Sequence, residues 1–187
     1  MNCEFSFTIR NNVKVCRFLV LELCVGTVRD YIKETYTGNM PTEPNALNQM
    51  ASGLAYIHSQ RFVHRDIKPA NVLISSLAVL KISDFGFTKS VTNSGSFSTR
   101  SGPKGTRIYF APEYLQLEKK NQDERERIRA NVSIDIFSLG CLFFSFITKG
   151  GHPFVKPGST INRIEDEITS NILSGNKIGE LHPHLGK

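Results

Sequence analysis

Residues 64–71 read His64-Arg65-Asp66-Ile67-Lys68-Pro69-Ala70-Asn71, and eighteen residues beyond Asp66 the chain reads Asp84-Phe85-Gly86. The first string places a carboxylate, an amine and a carboxamide within six positions, and the second adds another carboxylate. Mg²⁺ prefers oxygen ligands and takes only one or two protein carboxylates, with phosphate oxygens completing its shell. Such a composition suits chemistry in which positioning and charge neutralisation matter more than covalent steps. Further on come Ala111-Pro112-Glu113 and Asp135-Ile136-Phe137-Ser138-Leu139-Gly140. One tripeptide alone is weak, but four strings in fixed order and spacing are specific.

Together these strings resemble the protein kinase family. The resemblance implies an α+β, protein kinase-like fold, with a mainly helical large lobe and a remnant β-hairpin of the small lobe. It implies ATP and Mg²⁺ as cofactors. Asp66 would accept or orient the proton of the attacking hydroxyl, and Lys68 would sit beside the transferred phosphoryl group. A Lys at that place resembles Ser/Thr kinases rather than Tyr kinases. Asn71 and Asp84 would hold the magnesium ions, Glu113 would be a structural anchor, and Asp135 would bond back to the catalytic-loop backbone around His64 and Arg65.

Working outward, Cys3 to Arg10 alternates apolar and polar residues, Asn11-Asn12 signals a turn, and Val13 to Leu23 is rich in β-formers, which predicts a hairpin. By resemblance it leads to a hinge at Glu22-Leu23-Cys24. Leu21, Glu22, Cys24 and Leu73 would surround ATP there, with Lys68, Asn71 and Asp84 toward its phosphates; Leu73 is equally compatible with a core role. Val28, Tyr31 and Ile32 suggest a short helix. Thr42, Glu43 and Pro44 open a longer one, on which Leu47, Met50, Ala51, Leu54 and Ile57 keep helical spacing. Val72-Leu73-Ile74 and Leu80-Lys81-Ile82 read as a short strand pair. Ile134 to Ile147 is apolar on nearly all sides, which predicts a buried core helix too short to cross a bilayer.

The composition is that of an ordinary soluble domain: 187 residues, 40% hydrophobic and 21% charged. The net charge of +6 is scattered, so it reads as solvated surface and no direct nucleic-acid binding is expected. Cys3, Cys16, Cys24 and Cys141 lack metal spacing and suit reduced thiols. Asn131-Val132-Ser133 matches the glycosylation pattern but is read as incidental. No signal peptide or membrane segment is expected.

Ser94 to Thr106 packs six hydroxyl residues into thirteen positions and reads as a polar loop. Arg65 could pair with a phosphate placed there, ordering the loop through charge-assisted bonds. Thr106 would sit where Ser/Thr kinases contact their substrate. Leu21-Glu22-Leu23-Cys24, Ser96-Phe97-Ser98-Thr99-Arg100-Ser101-Gly102, Asp135-Ile136-Phe137-Ser138, Gly140-Cys141 and Gly151-His152-Pro153-Phe154 narrow the resemblance to the kinase part of the inositol-requiring kinase/endoribonucleases, the unfolded-protein sensors of the endoplasmic reticulum. That resemblance implies autophosphorylation of Ser96, Ser98 and Ser101 within a homodimer. It also implies ATP and a protein substrate, or the chain itself, as partners, and a cytoplasmic location on the cytosolic face of that organelle.

Residues 1–23 would then be a partial small lobe and 24–187 a large lobe lacking its last helices. No glycine precedes Gly26, so the glycine-rich loop is absent, and Lys14 reads as a surface strand residue rather than the ATP-pairing lysine. The chain stops before the Arg that usually pairs with Glu113, whose burial without it would cost several kcal/mol. RNA cleavage is not expected of these residues. The favoured expectation is an incomplete Ser/Thr kinase domain, with little turnover from these residues alone because preorganised donors are worth about 10²–10³ in rate each. The alternative is a catalytically impaired, kinase-like module acting through association with a partner.

Overall fold

The computed structural model describes residues 3–11, 14–156 and 164–178. Cys3–Asn11 (β1) and Lys14–Leu21 (β2) form the antiparallel hairpin that the alternation of the first and the β-formers of the second predict, with Phe7 opposite Phe18. The turn at Asn12, the side chain of Lys14 and the segment beyond Ile178 lie outside the described residues. Glu22 and Leu23 have no regular structure, and Cys24–Thr27 (β3) joins a second sheet. There β3 pairs with Val72–Ser75 (β5), and β5 with Leu80–Ile82 (β6), all antiparallel.

Thr27 caps the short helix Val28–Ile32 (α1). Its hydroxyl accepts from Asp30 N, and the Asp30 carboxylate accepts from Thr27 N, a reciprocal capping box. Glu43–Ser59 (α2) starts with Pro44 in its first turn, where the missing N–H is not needed. Ala46, Met50, Leu54 and Ile57 are its buried residues, while Leu47 and Ala51 pack only partly against the core. The apolar stripe is therefore centred slightly away from the position that the sequence spacing suggests.

Ser133–Ile147 (α5) is the helix on which both cores are built. Its Leu139, Leu142 and Phe146 join α1, α2, β5 and β6 in one cluster. Its Ile134 and Cys141 join Phe97, Phe110, Tyr114, Phe154, Ile168 and Ile172 in another. The second cluster brings in the short helix Pro112–Leu115 (α3) and the helix Ile164–Ser174 (α6). A helix serving two cores must be apolar nearly all round, which explains the composition of residues 134–147.

One expectation needs correction. Ser94 to Thr106 is not loop throughout: Ser96–Ser98 (β8) pairs with Arg129–Asn131 (β9). Phe97 points inward between the two serines and is buried, which gives the tripeptide the period-2 pattern of a strand. Thr99 follows it inward, its hydroxyl within bonding distance of the carbonyls of Arg125 and Ile128. Phe62–Val63 (β4) pairs similarly with Lys89–Ser90 (β7), tying the end of α2 to the chain beyond Gly86. Between α3 and β9 lies the short capped helix Gln122–Glu126 (α4).

Candidate active site

Asp135 sits fully buried in the first turn of α5. Its Oδ1 accepts from Arg65 N and its Oδ2 from His64 N, each at 2.8 Å, while His58 Nε2 donates to Oδ2 at 2.9 Å. Three donors on one carboxyl group are what make its burial tolerable. The same bonds hold Arg65 at φ +71°, a left-handed conformation unfavourable for a residue with a side chain. Arg65 is fixed again at its far end, where Nε donates to Phe87 O and the guanidinium lies 5.8 Å from the Phe97 ring centroid.

His64 is buried, donates from Nε2 to Ser83 O at 2.9 Å and accepts at Nδ1 from Asp66 N. Burial pushes its pKa down against the pull of that carbonyl, so the ring is neutral with its proton on Nε2. The loop that carries Asp66 is thus braced by Asp135 below and His64 within.

Asp66 is buried and fully engaged. Lys68 Nζ lies 2.7 Å from its Oδ2, Thr106 Oγ1 donates to its Oδ1 at 2.8 Å, and Lys68 Nζ donates to Thr106 Oγ1 at 2.9 Å. Asn71 Nδ2 donates to both Asp66 O and Asp66 Oδ2, each at 2.9 Å. Because that NH₂ has two acceptors, the amide orientation is set and Oδ1 of Asn71 is left available. Thr106 comes this close because Gly105, at φ +119°, passes the catalytic loop where a Cβ would stand 2.2 Å from Arg65 O.

Asp84 is exposed at φ +63°, heading a 3₁₀ turn over Phe85–Phe87. Its Oδ1 accepts from Gly86 N at 3.3 Å, leaving Oδ2 without a protein partner among the described residues. Asn71 and Asp84 therefore each present an uncommitted oxygen, the donor type that Mg²⁺ takes, and the residues fit the ion. No group of three His, Cys, Asp or Glu suited to a metal occurs among the described residues.

On β5, Val72 and Ile74 face the core while Leu73 faces the other way. Leu73 pairs in register with Lys81, whose amine forms an ion pair with Glu22. Leu21 and Leu23 are exposed, and Cys24 is half-buried with its thiol pKa raised, chiefly by burial and then by the Glu22 charge. Glu113 is exposed, so its carboxylate carries no burial cost and needs no partner; the expected penalty does not arise.

The serines of the 94–106 segment lie among cations that the sequence did not single out. Lys89 Nζ donates to Ser98 O at 2.8 Å, and Arg129 Nε donates to Ser96 Oγ at 3.0 Å. A cleft of about 510 Å³ is lined by Lys89, Ser98, Arg100, Ser101 and Arg125. Burial, then the charges of Arg65 and Arg129, push the Lys89 pKa down. Lys89 is set in place by the β4–β7 pairing and Arg129 by the β8–β9 pairing, neither of which the local sequence announces.

The fold and this carboxylate–amine–amide loop define a protein kinase domain: that family matches residues 4–182, and the chain belongs to it. Among its relatives, the chain is 36% identical over 165 residues to the serine/threonine-protein kinase/endoribonuclease IRE2 of Homo sapiens, covering 84% of this chain and 16% of that protein. It is 37% identical over 181 residues to serine/threonine-protein kinase/endoribonuclease ire-1 of Caenorhabditis elegans, covering 88% and 17%. To ireA of Aspergillus fumigatus, a protein of the same description, it is 34% identical over 195 residues, covering 85% and 16%. The chain spans about one sixth of the length of these relatives. No helix among the described residues is long and apolar enough to cross a membrane.

Proposed function

We propose that this chain is the phosphoryl-transfer part of a protein serine/threonine kinase. The observation that carries the reading is the closed network of Asp66, Lys68, Thr106 and Asn71. Asp66 would accept a proton from an acceptor hydroxyl; the hydrogen bond that it accepts from Thr106 Oγ1 supports that role. Lys68 supplies positive charge beside Asp66, where the entering oxygen and the transferred group would both be neutralised. Asn71 and Asp84 would hold Mg²⁺ through their uncommitted oxygens. Bound ATP and Mg²⁺ would supply the phosphoryl group and screen its charge; the chain's part is to orient the hydroxyl and fix the cations.

In this reading residues 1–23 belong to the small lobe and 24–187 to the large lobe. Leu21, Glu22, Cys24 and Leu73 border the adenine site, and the outward turn of Leu73 supports that role for it. Ser96, Ser98 and Ser101 are the autophosphorylation sites. Arg65, with Lys89 nearby, would pair with the added phosphate through charge-assisted bonds. By the family resemblance, the whole protein would act in unfolded-protein signalling, as a homodimer at the cytosolic face of the endoplasmic reticulum; the relatives' names support the kinase part of that reading.

A second reading, association with a partner, is favoured by one observation. An apolar cleft of about 660 Å³ opens between α2 and β6, rimmed by the exposed rings of Tyr56, Phe62 and Phe85. An ATP titration of the purified chain separates the two. Saturable, Mg²⁺-dependent binding that Asp84→Asn abolishes is the expected result. A folded chain that binds no nucleotide would reject the kinase reading.

A further inference from the structure

Beside the Asp66 network, a cleft of about 550 Å³ lies between α1, the catalytic loop, the Thr106–Tyr109 segment and the C-terminal end of α5. Its lining includes Arg29, Lys33, Lys68 and Lys149 and, among the described residues, no carboxylate. Lys68 is matched by Asp66, which leaves three cations in the lining, Arg29 and Lys33 from α1 and its cap and Lys149 from beyond the end of α5. None of those three forms an ion pair among the described residues. On α1 itself, Asp30 is held in the capping box by Thr27, whose hydrogen bonds lower its pKa, with attraction to Arg29 and Lys33 adding to that.

Lys149 is not a loose surface lysine. It follows the C-cap of α5 at φ +53°, and its Nζ lies 3.2 Å from the Tyr31 ring centroid, with Tyr31 stacked on Phe146. A cation held on an aromatic face is pre-positioned. Three cations around a cleft, one of them held in place, give a positive field that draws in an anionic side chain.

We infer that this cleft selects protein substrates bearing acidic or phosphorylated residues within a few positions of the acceptor hydroxyl. The inference rests on the kinase reading for the word substrate, though not for the binding itself. Carboxylates and phosphates would take charge-assisted bonds from Arg29, Lys33 and Lys149, whereas basic peptides would be repelled. The chain's own segment from Phe85 to Pro112 contains no Asp or Glu. Unmodified, it fits the cleft poorly; a first phosphate on Ser96, Ser98 or Ser101 turns it into a matching ligand. Modification of that segment by a second copy would therefore be sequential, the first transfer promoting the next.

The test is fluorescence anisotropy of labelled 12-residue peptides covering residues 92–103, unmodified, phosphorylated at Ser98, or carrying Glu in place of Ser98. These are titrated with the whole chain at low salt, and with Arg29→Gln/Lys149→Met, which removes two charges and keeps most of each stem. Tighter binding of the two anionic peptides, by about tenfold, that disappears in the double variant is the expected result. Equal affinity for the neutral and anionic peptides would overturn the inference, and so would an anion preference that survives the double substitution. The Mg²⁺-ATP titration on the same samples reads the kinase reading separately: ATP binding without anion preference removes this inference alone, and anion preference without ATP binding removes the kinase reading alone.

Discussion

The Thr106 hydroxyl reaches Asp66 Oδ1 at 2.8 Å across forty residues of chain, so the segment that carries Ser96, Ser98 and Ser101 is fastened directly to the proposed catalytic carboxylate. The same hydroxyl accepts from Lys68. Thr106→Ala should therefore loosen the segment as well as the network. We expect a loss of about 1 kcal/mol in urea unfolding, the usual worth of such a bond, and faster amide exchange over residues 100–107. Unchanged exchange would show that the segment is held elsewhere.

Asp135 offers a harsher test. Asp135→Leu would leave the N–H groups of His64 and Arg65 and the ring of His58 without their acceptor in a buried place. Removing one partner from a buried charged network costs about 3–5 kcal/mol. Because Arg65 depends on those bonds for its left-handed backbone, the loss should appear in thermal unfolding and in nucleotide binding together. A variant that unfolds normally would deny Asp135 its bracing role.

Acid sensitivity should centre on His152. It is buried, donates from Nε2 to Ile108 O and accepts at Nδ1 from Phe154 N. Burial pushes its pKa down from 6.5 to about 4 despite the carbonyl's opposing pull. A folded-state value below the unfolded one means that the unfolded chain takes up the proton first. Stability is thus fully present above about pH 6.5, falls as pH drops toward 4, and levels off below that, by about 3 kcal/mol for this ring. His64, shifted in the same direction, adds to the slope. His152→Gln should flatten urea stability between pH 6.5 and 4; an unaltered slope would assign it to other groups.

The thiols should differ sharply in reactivity. Cys141 is buried in α5, and burial pushes its pKa up to about 12, so almost no thiolate exists at neutral pH. Cys24 is half-buried at the start of β3. With iodoacetamide and peptide-level mass spectrometry, Cys24 should be alkylated while Cys141 is protected until denaturant is added. Equal labelling of both in the native chain would contradict the packing of α5.

What the sequence disclosed, and what it did not, follows from the range of each interaction. The alternation in β1, the β-formers of β2 and the stripe on α2 are local signals, legible without partners. Asp66, Lys68 and Asn71 stand close together on one loop and read as a unit. By contrast, β8 is three residues long, and its partner β9 begins at Arg129. One inward residue between two serines is too short a pattern to be told from a polar loop without its partner strand. The Glu22–Lys81 ion pair and the gathering of Arg29, Lys33 and Lys149 arise only when separate elements meet. The scattered charge that reads as solvated surface conceals that concentration.

Gly105 joins these threads, because its backbone decides whether Thr106 can reach Asp66 at all. Its φ of +119° is a conformation that side chains disfavour, and a Cβ there would lie 2.2 Å from the Arg65 carbonyl oxygen. That neighbour is backbone, already fixed by Asp135 through the Arg65 N–H, so it cannot swing aside. In Gly105→Ala the segment has to retreat, lengthening the Thr106–Asp66 bond. Backbone strain of this kind costs about 1–3 kcal/mol, and the lost hydrogen bond adds to it. If the two effects share that bond, Thr106→Ala introduced into the Gly105→Ala background should cost clearly less than the same change in the natural chain. A double-mutant cycle in urea measures the difference. Simple additivity would mean that Gly105 is constrained by the Arg65 carbonyl alone and does nothing to deliver Thr106.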